Sequence, residues 1–135
     1  MIAREPRTPI RSRIWLPPMT PDELKRRTKR FALAIIRLVG TLPRTEAARV
    51  IGGQLLRSGT AVGANYRAAC RARSRAEFSS RLGVTEEEAD EALYRLELLE
   101  ESGLAKGTQM RWLMTEANEL VAIYTASRKT ATGKG

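Results

Sequence analysis

Arg67, Arg71 and Arg75 recur at a spacing of four, with Arg73 between them and Arg57 upstream, in the densest basic run of the chain. Guanidinium groups suit phosphate because each planar fork donates two hydrogen bonds at once. Residues four apart share one helical face, provided the helix runs that far. Lys25, Arg26, Lys29 and Arg30 form a second basic group. These two groups are the candidates for nucleic-acid binding. The competing use of the same arginines is ion pairing with an acidic segment, and such a segment exists in Glu86, Glu87, Glu88, Asp90 and Glu91. Helical carboxylates hold a di-iron centre when Glu-x-x-His motifs complete them, but the chain has no histidine. The expectation is therefore a solvated or subunit-facing acidic surface, with no metal and no cofactor. Lack of histidine also removes the commonest general base. Cys70, the single cysteine, reads as a small buried or half-buried hydrophobe rather than a nucleophile. Neither the Gly59 to Gly63 segment nor the Gly103 to Thr108 segment fits a phosphate-binding loop. The chain is expected not to be an enzyme.

The elements that must carry these residues follow from apolar periodicity. Thr20-Pro21-Asp22-Glu23 is a helix start with a capping box, after which Leu24, Phe31, Ile35, Leu38 and Leu42 form one apolar face up to Gly40–Pro43. A second helix is expected from near Thr45 to about Arg71, its inward stripe being Ile51, Leu55, Ser58, Val62, Asn65 and Ala69. Ser58 and Asn65 are thus expected as buried polar groups that need hydrogen-bond partners. Gly52, Gly53, Gly59 and Gly63 weaken an isolated helix, and a smooth side for close approach of another backbone would compensate. A third helix from about Ser74 to Gly103 carries Phe78, Leu82, Thr85, Ala89, Leu93, Leu96 and Leu99. A fourth, from about Thr108 to Lys129, turns Met110, Leu113, Ala117, Leu120 and Tyr124 inward. Short connections between four amphipathic helices predict an all-α, antiparallel up-down-up-down four-helix bundle. The bundle is placed at residues 20–130, between a basic proline-rich arm at 1–19 and a small-residue tail at 131–135. Within the arm, Ile14-Trp15-Leu16 is an apolar knot able to dock on the bundle or on a neighbouring subunit.

One chain of 135 residues and 15.0 kDa fits a single core, and only 5% aromatic residues suits helix packing by Leu, Ile, Val and Ala. No run approaches the length of a spanning helix and no apolar leader is present, so a cytoplasmic location and no membrane contact are expected. The net charge of +9 is unevenly spread: residues 42–75 carry +6 and residues 76–103 carry −7. Such polarity favours a polyanionic partner, or a basic face meeting an acidic face in an oligomer. An alternative is a winged helix-turn-helix, with Leu82-Gly83-Val84 as its turn. Its recognition helix would then begin with glutamates, the wrong sign for phosphate.

Three segments carry a family resemblance: Arg57-Ser58-Gly59-Thr60-Ala61-Val62-Gly63-Ala64-Asn65-Tyr66-Arg67-Ala68-Ala69, Arg71 to Phe78, and Glu87 to Leu99. Over roughly residues 21–130 the chain resembles the bacterial four helix bundle protein family, also known as 23S rRNA-intervening sequence proteins. It is more distantly similar to the accessory variability determinants of diversity-generating retroelements. The resemblance implies a left-handed bundle assembling as a homopentamer, with RNA or DNA binding in the basic members and no established catalytic residues. Two positions depart from the family pattern, Ala68 where relatives often hold Glu and Arg95 where they often hold Trp. The expected function is that of a non-enzymatic, nucleic-acid-binding accessory factor, with a reverse transcriptase as a possible partner. The alternative is a structural ring that recruits a protein.

Overall fold

A computed structural model describes residues 19–133. The arm up to Pro18, with its Ile14-Trp15-Leu16 knot, and the last two residues of the tail lie outside that range. Four helices follow in order: α1 Pro21–Gly40, α2 Glu46–Cys70, α3 Arg75–Glu101 and α4 Thr108–Ala131. No strand occurs among the described residues, and no helix is long and apolar enough to cross a membrane.

Side chains at the helix starts set three of the four boundaries. Thr20 accepts from the Glu23 amide at 3.1 Å while the Glu23 carboxylate accepts from the Thr20 amide at 2.9 Å, completing the capping box. Thr45 and Ser74 accept from the amides of Ala48 and Glu77 at 3.1 and 3.0 Å. Gly107 begins α4 without a side-chain cap; its φ of 107°, like the φ of 80° at Gly103, belongs to the left-handed region that glycine tolerates.

Each helix packs against its chain neighbours, α4 closes back on α1, and the diagonal pairs approach only through side chains, as where Tyr66 of α2 meets Tyr124 of α4 with ring centroids 5.6 Å apart. The directions are antiparallel throughout. Arg57 meets Glu91 and Gln54 meets Arg95 across α2 and α3, whereas Glu86 meets Arg128 and Arg75 meets Ala131 across α3 and α4. The α1–α4 seam is the least extensive of the four. The core between the helices holds Phe31, Ile35, Leu55, Val62, Leu82, Leu96, Leu99, Met110, Leu113, Leu120 and Tyr124, all fully buried.

The inward stripes of α3 and α4 match the periodicity, with Phe78 alone only half-buried. The α2 stripe needs correction at two positions: Gly52 and Tyr66 are buried, while Ile51 and Asn65 are only half-buried, and Leu55, Ser58, Val62 and Ala69 are buried as expected. A strict alternation of four and three drifts by about 20° per heptad from the 3.6-residue period of a straight helix, so single positions turn toward the rim of the core. Asn65 accordingly donates its amide to Ala61 O in its own helix, at 2.9 Å, and ties down no neighbour. Ser58 is buried as expected but satisfies its hydroxyl within α2 as well, on Gln54 O at 3.1 Å. The winged-helix alternative also falls, because Leu82-Gly83-Val84 lies inside the unbroken 27-residue α3 and forms no turn.

Three of the α2 glycines do admit α1. A Cβ on Gly59 would lie 3.0 Å from Ile35 Cγ1, one on Gly63 would lie 3.0 Å from Thr28 Oγ1, and one on Gly52 would lie 2.9 Å from Leu42 Cδ1. Gly53 meets nothing within 4 Å and faces solvent. Gly53→Ala is therefore expected to stabilise the bundle by about 0.5–1 kcal/mol through helix propensity alone. Gly59→Leu should destabilise it by about 1–3 kcal/mol through overpacking against Ile35. Urea unfolding of the two variants reads both signs.

Candidate nucleic-acid interface

The antiparallel order brings the start of α1, the end of α2, the start of α3 and the end of α4 to one end of the bundle. α1 holds six basic residues against two acidic ones, and α3 holds nine acidic against three basic. Because these two helices sit on a diagonal, their outward faces point to opposite sides.

The acids of α3 and α4 neutralise part of the basic surface. Arg57 lies 3.5 Å from Glu88 and 3.1 Å from Glu91. Arg128 lies 2.7 Å from Glu86, and Arg27 is clamped by Glu116 and Glu119. Arg57 thus follows the ion-pairing alternative, within its own chain. No carboxylate of a described residue lies within 4.0 Å of Lys25, Arg26, Lys29, Arg30, Arg67, Arg71 or Arg73. All of these but the half-buried Lys25 are exposed.

Their placement is partly as the spacing suggests. Lys29 and Arg30 stand on the outer side of α1, away from Phe31, Ile35 and Leu38. Gly63 rests on Thr28, so Arg67, one turn further along α2, comes level with Leu24 and Lys25. Arg67, Arg71 and Arg75 do not share one helical face. α2 stops at Cys70, Arg71 is its C-cap, and Arg75 opens α3. The Arg75 guanidinium donates to Ala131 O at 2.9 Å, spending part of its charge on the carbonyl end of α4. What results is a ridge running from Arg71 and Arg73 at the bundle end onto the outer face of α1.

The profile of 23S rRNA-intervening sequence proteins matches residues 23–126. The chain belongs to this family. It is also similar to the crystal structure of a protein of unknown function from the S23 ribosomal protein family of Bacteroides thetaiotaomicron, at 32% identity and a TM-score of 0.74. That alignment covers 82% of this chain and 99% of the other. No protein of curated function matches.

In this intervening-sequence protein, one feature of the surface had no sequence expectation: Trp112 of α4 lies under the Arg30 guanidinium, whose Cζ is 6.0 Å from the ring centroid. Arg37 extends the basic line of α1, with no carboxylate of a described residue within 4.0 Å. Trp112 carried no periodic signal because it stands beside the inward Leu113. The family member also keeps its acidic helix in place by charge. The Glu86 carboxyl is held below the usual carboxylate range, first by the hydrogen bond from Arg128 and then by that from Thr125. A depressed folded value stabilises the bundle above the ordinary carboxylate pKa of about 4.3, and the contribution is lost as pH falls through the folded value. Wild type should therefore exceed Glu86→Gln in stability by about 0.5–1 kcal/mol at pH 7. Denaturant unfolding repeated at acid pH should show the gap closing.

Proposed function

We propose that the protein is a non-enzymatic, cytoplasmic nucleic-acid-binding factor that acts as a homo-oligomer. The observation that carries this reading is the sorting of charge. The acids of α3 and α4 pair with Arg27, Arg57 and Arg128, whereas most of the basic groups with no carboxylate of a described residue within 4.0 Å lie on α1 and the adjoining end of the bundle, Arg44, Lys106 and Arg111 at the other end being among the exceptions. A surface of this kind meets phosphates without reading bases, and binds weakly in one copy and firmly in several. Head-to-tail contact between unlike charged faces closes into a ring, and five copies is the number the family resemblance supplies. A reverse transcriptase would be one partner able to use such an RNA- or DNA-holding ring. The names of the family and of its solved relative, which refer to ribosomal RNA genes and a ribosomal protein family, support a nucleic-acid context.

A scaffold ring that recruits a protein is the second reading, favoured by the exposed Leu33 and Ile36 on the same outer face of α1. Labelled structured RNA and duplex DNA, titrated across a salt series with mass followed by light scattering, separate the two. The proposal expects about five times the monomer mass and steeply salt-dependent binding with little sequence preference. No binding of either nucleic acid at low salt would overturn it in favour of the scaffold.

A further inference from the structure

We propose that Trp112 is a stacking platform for an unpaired base, so that the α1 ridge, which meets any phosphate backbone, favours a single-stranded nucleic acid over a duplex. The inference rests on the nucleic-acid reading of that ridge and names its substrate class.

Arg27 meets Glu116 and Glu119, and Arg30 covers Trp112, which fixes the side of α1 that borders α4. Arg26, Arg30, Leu33 and Arg37 recur along that border at spacings of four, three and four, forming one exposed stripe about 16 Å long at 1.5 Å per residue. No carboxylate of a described residue lies within 4.0 Å of its three arginines. Trp112 keeps 37% of its surface exposed while its neighbours Met110, Leu113 and Ala117 close the core without it. An indole in contact with solvent and flanked by guanidinium groups that no described carboxylate bridges matches the pairing of stacking ring and phosphate track by which single strands are held. A duplex keeps its bases stacked inside and offers this convex helix face only phosphates. The other exposed aromatic side chain among the described residues, Tyr94, is 53% exposed but stands on the acidic α3, where phosphate is repelled.

The test uses the full chain with Trp15→Phe, which leaves Trp112 as the only tryptophan. Unstructured oligo(U), oligo(dT) and a duplex of equal length are titrated at low salt, reading labelled-strand anisotropy and tryptophan quenching. The expected result is quenching by the single strands and not by the duplex, the stronger of the RNA and DNA arms naming the preferred sugar. Trp112→Ala should weaken single-strand binding by about 5- to 100-fold. It should leave duplex affinity within twofold and the salt slope unchanged, since no phosphate contact is removed. Trp112→Tyr should retain most of the affinity, and Tyr94→Ala all of it. Equal quenching by duplex, or a Trp112→Ala effect on both ligands or on neither, would overturn the stacking role while the nucleic-acid reading stands. Binding of none of the three would overturn both.

Discussion

Arg27→Ala is expected to be among the most destabilising single changes in this bundle, lowering the unfolding free energy by about 2–4 kcal/mol. The Arg27 Nε donates to Glu116 Oε2 at 2.6 Å and its Nη2 to Oε1 at 3.0 Å, a bidentate pair, and Nη2 also donates to Glu119. Glu116 is 7% exposed, so deleting the guanidinium strands a carboxylate inside the α1–α4 seam. Burial, the largest single influence on Arg27, works against its charge, yet the bonds and charges of Glu116 and Glu119 outweigh it and leave its pKa raised. Replacing both ends of the pair, as Arg27→Met with Glu116→Leu, should recover most of the loss, because breaking a buried pair costs more than exchanging it for apolar packing. Urea unfolding of the single and double variants gives the coupling directly. A single variant within about 0.5 kcal/mol of wild type would show that the seam holds by its apolar contacts alone.

The second large effect concerns affinity. Changing Arg26, Lys29, Arg30 and Arg67 together to Gln should make the dependence of log K on log salt shallower by about three, at about 0.7–0.9 per phosphate contact. Near 0.1 M salt this amounts to roughly tenfold per contact, or a thousandfold and more in total. Arg57→Gln provides the contrast, since its charge is already met by Glu88 and Glu91. It should leave slope and affinity unchanged and alter stability by less than about 1 kcal/mol. Equal losses from the quadruple variant and from Arg57→Gln would mean that net charge, and not the α1 ridge, governs binding.

The fold was legible because local signals agreed. Thr20, Thr45 and Ser74 mark helix starts, and the stripes of α1, α3 and α4 are regular enough to survive small errors of register. α2 was harder to read, since a helix rich in Gly and Ala shows little hydrophobic contrast; Gly52 and Gly59 are buried without any apolar side chain to announce it. The charged surface was legible only as a list of residues. Which arginines are neutralised depends on partners far away in sequence: Arg27 and Glu116 are 89 positions apart, and Arg57 and Glu91 are 34 apart. Spacing alone could not tell Arg57, which is paired, from Arg67, which has no described carboxylate beside it. The helix break between Arg71 and Ser74 was legible, and it is this break that scatters a triplet whose spacing of four an unbroken helix would have aligned.

The even number of antiparallel helices has a practical consequence for attachments. α1 starts and α4 finishes at the same end of the bundle, where Arg71 and Arg73 also lie, so a dye or partner domain attached next to Pro21 or Ala131 stands beside the candidate interface. A guest inserted between Gly103 and Gly107 emerges from the opposite pole, at a turn whose backbone already bends at two glycines. Immobilisation through that loop presents the basic pole outward, whereas immobilisation next to the start of α1 or the end of α4 covers it.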